Sequence, residues 1–264
     1  MELDIVRVET DERGVATVTI NRPEKHNAFN ETLVGELQDA FGRLARNPVV
    51  RAVVLTGAGK SFSAGADLNW MQEMANYSMT VNLEDAGLLA EMLYTLDSMP
   101  QPTVAKINGG AYGGAVGLIA ACDIAIAQDD ATFGITEVRL GLIPSVISPY
   151  VLRAIGPRQA RRYALTAERF DAAEALRIGL VHRVERKKTI DAAVEDIIDR
   201  LLAGAPGAQE EVKSLFRDIW EVDRTGAAVR AETAQRIATR RSSEEAKEGI
   251  TAFLSKRKPN WRGQ

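Results

Sequence analysis

Apolar and polar residues alternate over residues 5–8 and again over 15–20, with a turn-forming run at 11–14 that ends on Gly14. This pattern predicts a β-hairpin. Asn30 is placed as a helix N-cap, and Leu33, Leu37, Ala40, Phe41 and Leu44 follow it at helical spacing. A continuous apolar run at 52–55 reads as a short buried strand stopping at Gly57. A second helix is expected from about Asn82, with Leu83, Ala86, Ala90 and Leu93 on one side. Beyond Pro102 come a strand at 103–107, a glycine-rich turn at 108–114, a small-residue helix reaching 118–121, and a strand at 124–127. Buried strands written as continuous apolar runs, alternating with helices across short loops, indicate an α/β architecture with helices packed on sheets.

From about Ser145 the pattern becomes mostly helical. Gly156-Pro157 marks a break, and Asp171 caps a short helix that Gly179 ends. Residues 189–202 carry Ile190, Val194, Ile197 and Leu201 on one face, and Val212, Leu215, Phe216 and Ile219 form a further stripe. Ser242-Ser243-Glu244-Glu245 has the form of a capping box ahead of a last helix with Ala246, Ile250 and Phe253. No low-complexity linker divides the chain. The expected organisation is an α/β core over 1–200 with a helical carboxyl-terminal extension over 201–264 that takes part in oligomer contacts.

Composition narrows the function classes. The chain has 264 residues, 45% hydrophobic and 26% charged, which is enough for a sizeable core. With 33 basic and 36 acidic residues interleaved, no dense basic face arises, so a nucleic-acid partner is not expected. Cys122 is the single cysteine and sits in an apolar run. It reads as an inert buried thiol and points to a reducing, cytoplasmic setting. The first twelve residues lack an apolar h-region, and no apolar stretch is long and charge-free enough to span a membrane. His26 and His182 lie in unrelated segments, so no metal is expected.

Two small-residue clusters carry the candidate chemistry. The run FSAGADL at 62–68 follows a buried strand, and its small Ala64, Gly65 and Ala66 let a ligand approach the backbone closely. The run NGGAYGGA at 108–115 lies between a strand and a helix, whose amino terminus presents unpaired N–H groups to an anionic oxygen. Either run alone reads equally well as a tight packing turn. Together they supply two backbone donors that can converge as an oxyanion hole.

With NRPEKHNAFN at 21–30, FSAGADL, INGGAYGGAVGL at 107–118, ACDIAIA at 121–127, FGITEVRLGLIP at 133–144, LTAERFDAAEALRIGLVHRV at 165–184 and AFLSKRKPNW at 252–261, the chain resembles the enoyl-CoA hydratase/isomerase (crotonase) family over nearly its whole length. The resemblance implies a crotonase-like ββα spiral core, assembly as a homotrimer or hexamer, and an acyl-CoA thioester substrate. Coenzyme A then enters as part of the substrate, with no separate cofactor. By position, the Ala66 and Gly114 amides match the oxyanion donors. Ala64, Gly65, Asp67 and Leu68 match the segment that also receives the adenine end of coenzyme A. Lys25 and Ala28 match residues along its path, and Tyr112 and Gly113 flank the second donor. Phe253 and Lys256 match a terminal helix that borders a neighbouring subunit's site.

Glu137 matches the second of the two catalytic glutamates of well-known hydratases, whereas the first falls on Gly117, which has no side chain. A positioned acid/base group contributes about 10² to 10⁴ in rate, so a single carboxylate bears on the choice of reaction. Side-chain count favours a Δ3,Δ2-enoyl-CoA isomerase with a single base. Segments at 66–72, 82–86 and 141–150 resemble a bacterial subgroup of methylglutaconyl-CoA hydratases of leucine degradation, and this places hydratase first. A non-catalytic acyl-CoA- or RNA-binding protein and a thioester hydrolase are further readings. For a substrate with a second carboxylate, Arg139, Arg153, Ser145, Ser148 and Tyr112 are candidate partners, and residues 70–82 are expected to form a mobile lid over the acyl pocket.

Overall fold

The computed structural model describes residues 4–74, 76–220 and 226–262. Strands β1 (Val6–Thr10) and β2 (Val15–Ile20) form the expected antiparallel hairpin, from Val6 opposite Ile20 to Thr10 opposite Ala16. Strand β1 extends past the alternating segment because its pairing with β2 continues through Glu9 and Thr10, although their side chains face solvent. After a 3₁₀ turn at Pro23–Lys25, α1 (Glu31–Ala45) starts on Asn30, whose Oδ1 accepts from Leu33 N–H at 3.0 Å. Leu33, Leu37, Ala40, Phe41 and Leu44 form its buried face, as their spacing indicates.

The chain then passes through β3 (Ala52–Gly57), β4 (Ser61–Ser63), α2 (Leu68–Met74), α3 (Met79–Ser98), β5 (Thr103–Ile107), β6 (Gly110–Tyr112), α4 (Gly114–Ala121), β7 (Ile124–Gln128) and β8 (Thr132–Gly134). Each ββα turn leaves one strand in each of two sheets. One sheet has the order β1-β2-β3-β5-β7-β10, with β10 at Arg183–Glu185. The other has the order β4-β6-β8-β9, with β9 at Phe170–Asp171. Strands from successive turns pair in parallel, which is the expected ββα spiral.

Alternation along the strands divides the core. Val54, Val104 and Ile126 face Ile190, Ala193, Val194 and Ile198 of α7 (Ile190–Ala203). Val53, Leu55, Ala105 and Ala127 face the larger cluster, which includes buried residues of α1, α3 and α4. Every residue from Ala115 to Ala121 is buried, so α4 is apolar all round and runs through the interior. That placement brings its amino terminus into the molecule rather than onto its surface. Cys122, at the far end of α4, is buried, and burial pushes its thiol pKa up.

Helix α5 (Ser148–Thr166) bends at Gly156-Pro157, where Gly156 has φ 72°. Helix α6 (Ala172–Ile178) begins on Asp171 and ends at Gly179 as expected. Helices α8 (Pro206–Trp220), α9 (Ala227–Ser242) and α10 (Glu244–Leu254) complete the chain. Lys213 ties α8 to the core through Gln101 O at 3.0 Å and Asp123 at 2.6 Å.

Several expectations change. Helix α3 starts on Ser78 rather than near Asn82, and its buried line is Met92, Leu93 and Leu96; Leu83 and Ala90 are exposed. The reason is that α3 buries its side chains mainly through its carboxyl-terminal half, while Leu83 and Ala90 face solvent. Residues 70–82, expected as a mobile lid, are largely helical in α2 and α3, with Trp70 buried; residue 75 lies outside the described residues. Phe216 of the α8 stripe is 62% exposed. Ser243 caps α10 through Ala246 N–H, but Glu245 accepts from Gly207 and Ala208 N–H at the start of α8 (3.1 Å each) instead of closing the box. Among the described residues no helix is long and apolar enough to cross a membrane.

Asn30→Ala removes the α1 cap beside the Phe29 segment and is expected to lower stability by about 1 kcal/mol in urea denaturation, whereas Asn30→Ser retains most of it.

Candidate active site

Strands β4 and β6 are neighbours in the smaller sheet and run parallel, with Ser61 beside Gly110 and Ser63 beside Ala111. Both therefore leave the sheet at the same edge, and the turns that follow them lie together. A Cβ built on Gly65 would lie 2.9 Å from the Tyr112 carbonyl oxygen, and Gly65 has φ +88°. Only glycine permits this contact between the turns without strain.

Phe29 joins the two turns. Its N–H donates to Gly65 O and its C=O accepts from Asp67 N–H, both at 2.7 Å, in a parallel bridge centred on Ala66. In such a bridge the central residue turns its own N–H to the opposite side, and no partner for the Ala66 amide occurs among the described residues. The Phe29 ring also packs where a Cβ on Gly114 would stand, at 3.0 Å. Gly114 is the first residue of α4, so its N–H has no intrahelical acceptor and carries the positive end of the helix dipole. The preceding Gly113, at φ 55°, donates to Gly134 O at 2.9 Å.

Glu137 arrives through the third strand. Strand β8 pairs with β6 (Ala111 with Phe133, Tyr112 with Gly134), and a 3₁₀ turn at Glu137–Leu140 follows closely. A Cβ on Gly113 would lie 3.4 Å from Glu137 Oε1, so the carboxyl sits over the turn that leads into α4. Glu137 Oε2 is buried without a hydrogen-bond partner. Burial raises the Glu137 pKa above the usual carboxylate range, against a smaller opposing effect of the nearby Glu137 and Thr136 backbone amides. A carboxyl held this way suits proton transfer better than ion pairing.

At Gly117 the structure answers what replaces a side chain. An added Cβ would lie 2.3 Å from Ile147 Cγ2 and 2.8 Å from Ile147 Cβ, so the isoleucine already occupies that volume.

The remaining predicted residues fall into four groups. Ala64, Gly65 and Leu68 line the first turn; Ala64 donates its N–H to His26 O at 2.9 Å, and Leu68 opens α2 with an exposed side chain. Lys25 is exposed on the 3₁₀ turn before buried Ala28. The polar groups of Asp67 and Tyr112 have partners within the chain. Asp67 accepts from Arg22 Nη2 at 3.1 Å and from Asn69 N–H at 2.9 Å. The Tyr112 hydroxyl is 2.6 Å from Thr132 Oγ1, and the Arg169 guanidinium stacks on its ring, so this residue supplies backbone to the site. Phe253 is 82% exposed on α10 and Lys256 just follows that helix; among the described residues no hydrogen bond or ion pair ties either side chain to the two turns.

Residues that sequence reasoning did not single out hold the site in shape. Arg22 donates to Ala28 O as well as to Asp67, linking the segment before Phe29 to the residue after Ala66. Asn27, wholly buried at φ 56°, donates to Ala58 O (2.9 Å) and Ser61 O (2.7 Å) and accepts from Arg22 N–H at 2.9 Å. Asn tolerates that left-handed conformation better than most residues, and an Asn in a turn-rich run was the available signal. Nothing in the sequence indicated that Ile147 meets Gly117.

Known proteins share this sequence family and this fold. The enoyl-CoA hydratase/isomerase family profile matches residues 10–264. The short-chain-enoyl-CoA hydratase of Clostridium acetobutylicum is 36% identical, covering 98% of this chain and 97% of that protein. The crotonyl-CoA hydratase of Syntrophomonas wolfei is 34% identical, covering 99% of each. The crystal structure of an enoyl-CoA hydratase from Shewanella pealeana superposes with a TM-score of 0.93 at 44% identity, covering 98% of this chain and 97% of that one. The fold is that of the crotonase class, and the chain belongs to the enoyl-CoA hydratase/isomerase family.

Two results are expected from the Arg22–Asp67 pair. Asp67→Ala leaves the largely buried guanidinium without its counter-charge and is expected to cost about 3 kcal/mol in urea denaturation at pH 7. The Asn69 amide, with Arg22, holds the folded-state Asp67 pKa below its unfolded value. This contribution is therefore present above the ordinary aspartate range near pH ~4 and fades as pH falls through the depressed value, so the gap between wild type and variant narrows on acidification.

Proposed function

We propose that the protein adds water to an α,β-unsaturated acyl-CoA, with Glu137 as the only carboxylate acid/base and the Ala66 and Gly114 amides as oxyanion donors. The observation that carries this reading is the convergence of three adjacent strands, β4, β6 and β8, on one edge. The turns that follow them carry the Ala66 and Gly114 amides, which have no backbone partner among the described residues, and the Glu137 carboxyl over the turn into α4, and this supports the reading. The thioester oxygen accepts from Ala66 and Gly114 N–H as it becomes an enolate; one such donor is worth about 3 to 4 kcal/mol in a transition state. The Glu137 carboxylate takes a proton from water as the water oxygen bonds to Cβ. The resulting carboxylic acid then returns that proton to Cα, so the elements of one water molecule are added and Glu137 is regenerated. The names of the Clostridium and Syntrophomonas relatives support hydration.

For the acyl group we propose methylglutaconyl-CoA or a related branched enoyl-CoA with a distal carboxylate. Among the candidate partners, Arg153 is paired with Asp97, Tyr112 with Thr132, and the Ser148 hydroxyl donates to Ser145 O. The Arg139 guanidinium, on the Glu137–Leu140 turn, has no partner among the described residues and is the cation left for that role. One observation favours isomerisation as a second reading: Ile147 stands against Gly117, and among the described residues Glu137 is the carboxylate that meets the turn into α4. Conversion of a β,γ-enoyl-CoA without incorporation of labelled oxygen from water separates the two.

Glu137→Gln is expected to lower hydration at least about a hundredfold while leaving the thermal midpoint nearly unchanged. Because the carboxylate is the active form and its pKa is raised, wild-type kcat/KM is expected to fall on acidification with a midpoint above ~4.3, the ordinary glutamate value. Undiminished turnover in the variant removes Glu137 from the mechanism. Arg139→Ala is expected to raise KM about tenfold or more for methylglutaconyl-CoA and not for crotonyl-CoA; equal effects on both contradict the distal-carboxylate assignment.

A further inference from the structure

Glu137 Oε1 stands 3.4 Å from the Cβ position of Gly113, the N-cap of α4. Gly117 is the fourth residue of that helix, about one turn or ~6 Å along the axis from Gly113. A side chain at 117 would therefore stand within about one helical turn of the residue that the Glu137 carboxyl covers. On α4 that is where a second proton-transferring group would have to be placed.

That volume is taken by a rigid group. Ile147 is 3% exposed and belongs to the main core cluster. Its β-branched side chain has restricted χ1 freedom. Its backbone is pinned as well, because its C=O accepts from Val151 N–H at 3.1 Å at the start of α5, with Pro149 in the first turn. Contacts of 2.3 and 2.8 Å to Cγ2 and Cβ lie at the branch point of the side chain, where no flexible end can swing aside. Gly117 is otherwise a poor choice inside a buried helix, since alanine is a better helix former.

We propose that Ile147 is a positioning residue that commits the site to one carboxylate, by seating its branched carbon where a side chain at position 117 would stand, within about one helical turn of the residue that the Glu137 carboxyl covers. The inference rests on the reading of Glu137 as the acid/base group. It adds that positions 117 and 147 act as one unit: the site holds either an isoleucine against a glycine, or a second functional group facing a smaller residue.

Gly117→Ala is expected to have opposite signs in two backgrounds. With Ile147 in place it lowers the thermal midpoint by about 5 °C through overpacking; in Ile147→Ala it raises the midpoint by refilling the vacated volume. Ile147→Val keeps the branch, so Gly117→Ala remains destabilising in that background. The catalytic arm uses crotonyl-CoA hydration. Gly117→Glu alone is expected to lose at least tenfold in kcat. Combined with Ile147→Ala it is expected to exceed Ile147→Ala alone by at least tenfold in kcat, and its pH–rate profile gains a second ionisation that packing repair alone does not create. The proposal is overturned if Gly117→Ala changes stability in the same direction in both backgrounds. It is equally overturned if Gly117→Glu is fully active beside Ile147, or if the paired variant gains neither rate nor the second ionisation. A wild-type protein that neither hydrates nor isomerises any enoyl-CoA removes the reading of Glu137 and this proposal together. Turnover by wild type with contrary Gly117 results removes this proposal alone.

Discussion

The parallel pairing of β4 with β6 is the constraint on which the site depends. Because both strands point the same way, the turns after Ser63 and Tyr112 emerge at one edge, and the Gly65 backbone can lie against the Tyr112 carbonyl. Phe29 then fastens the pair, with its backbone bridged to Ala66 and its ring against Gly114. An antiparallel or shifted pairing would send the two amides to different faces, and no side chain could restore their meeting. The acid/base group depends on the same sheet, since β8 adds to β6 and carries Glu137 to the α4 turn.

Polar groups around this edge divide their work. Arg22 and Asn27 are spent on each other and on backbone carbonyls, and Asp67 on Arg22 and the Asn69 amide, which holds the segment around Phe29 and Ala66 in one geometry. Glu137 is the contrast: one of its oxygens is buried and unpartnered, and its proton affinity is raised as a consequence. Satisfied groups build the frame, and the Glu137 carboxyl, with one oxygen unpartnered among the described residues, is left for chemistry. Ile147 shapes the same space by filling it, which explains in packing terms why α4 carries a glycine at 117.

Much of this was legible in the sequence because local physics dictates it. Apolar runs at 52–55, 103–107 and 124–127 became central strands, and Asn30 and Asp171 cap the helices they precede. The glycine-rich turns identified the donor segments, although not how they meet, since partner choice between strands is non-local. The buried face of α3 was misjudged because Leu83 and Ala90 have helical spacing but face solvent. Asp67 and Tyr112 look like ligand contacts in a linear motif. Their side-chain partners within the chain, Arg22 and Thr132, lie 45 and 20 residues away, and only the folded chain brings them together. Ile147 was invisible for the same reason.

Vibrational spectroscopy of a bound acyl-CoA carrying a ¹³C-labelled thioester carbonyl addresses the convergence of the two amides most directly. If Ala66 and Gly114 both donate to that oxygen, the carbonyl stretch moves to lower frequency on binding, because the bond is polarised towards the enolate. A labelled carbonyl that binds with its solution frequency unchanged contradicts the account.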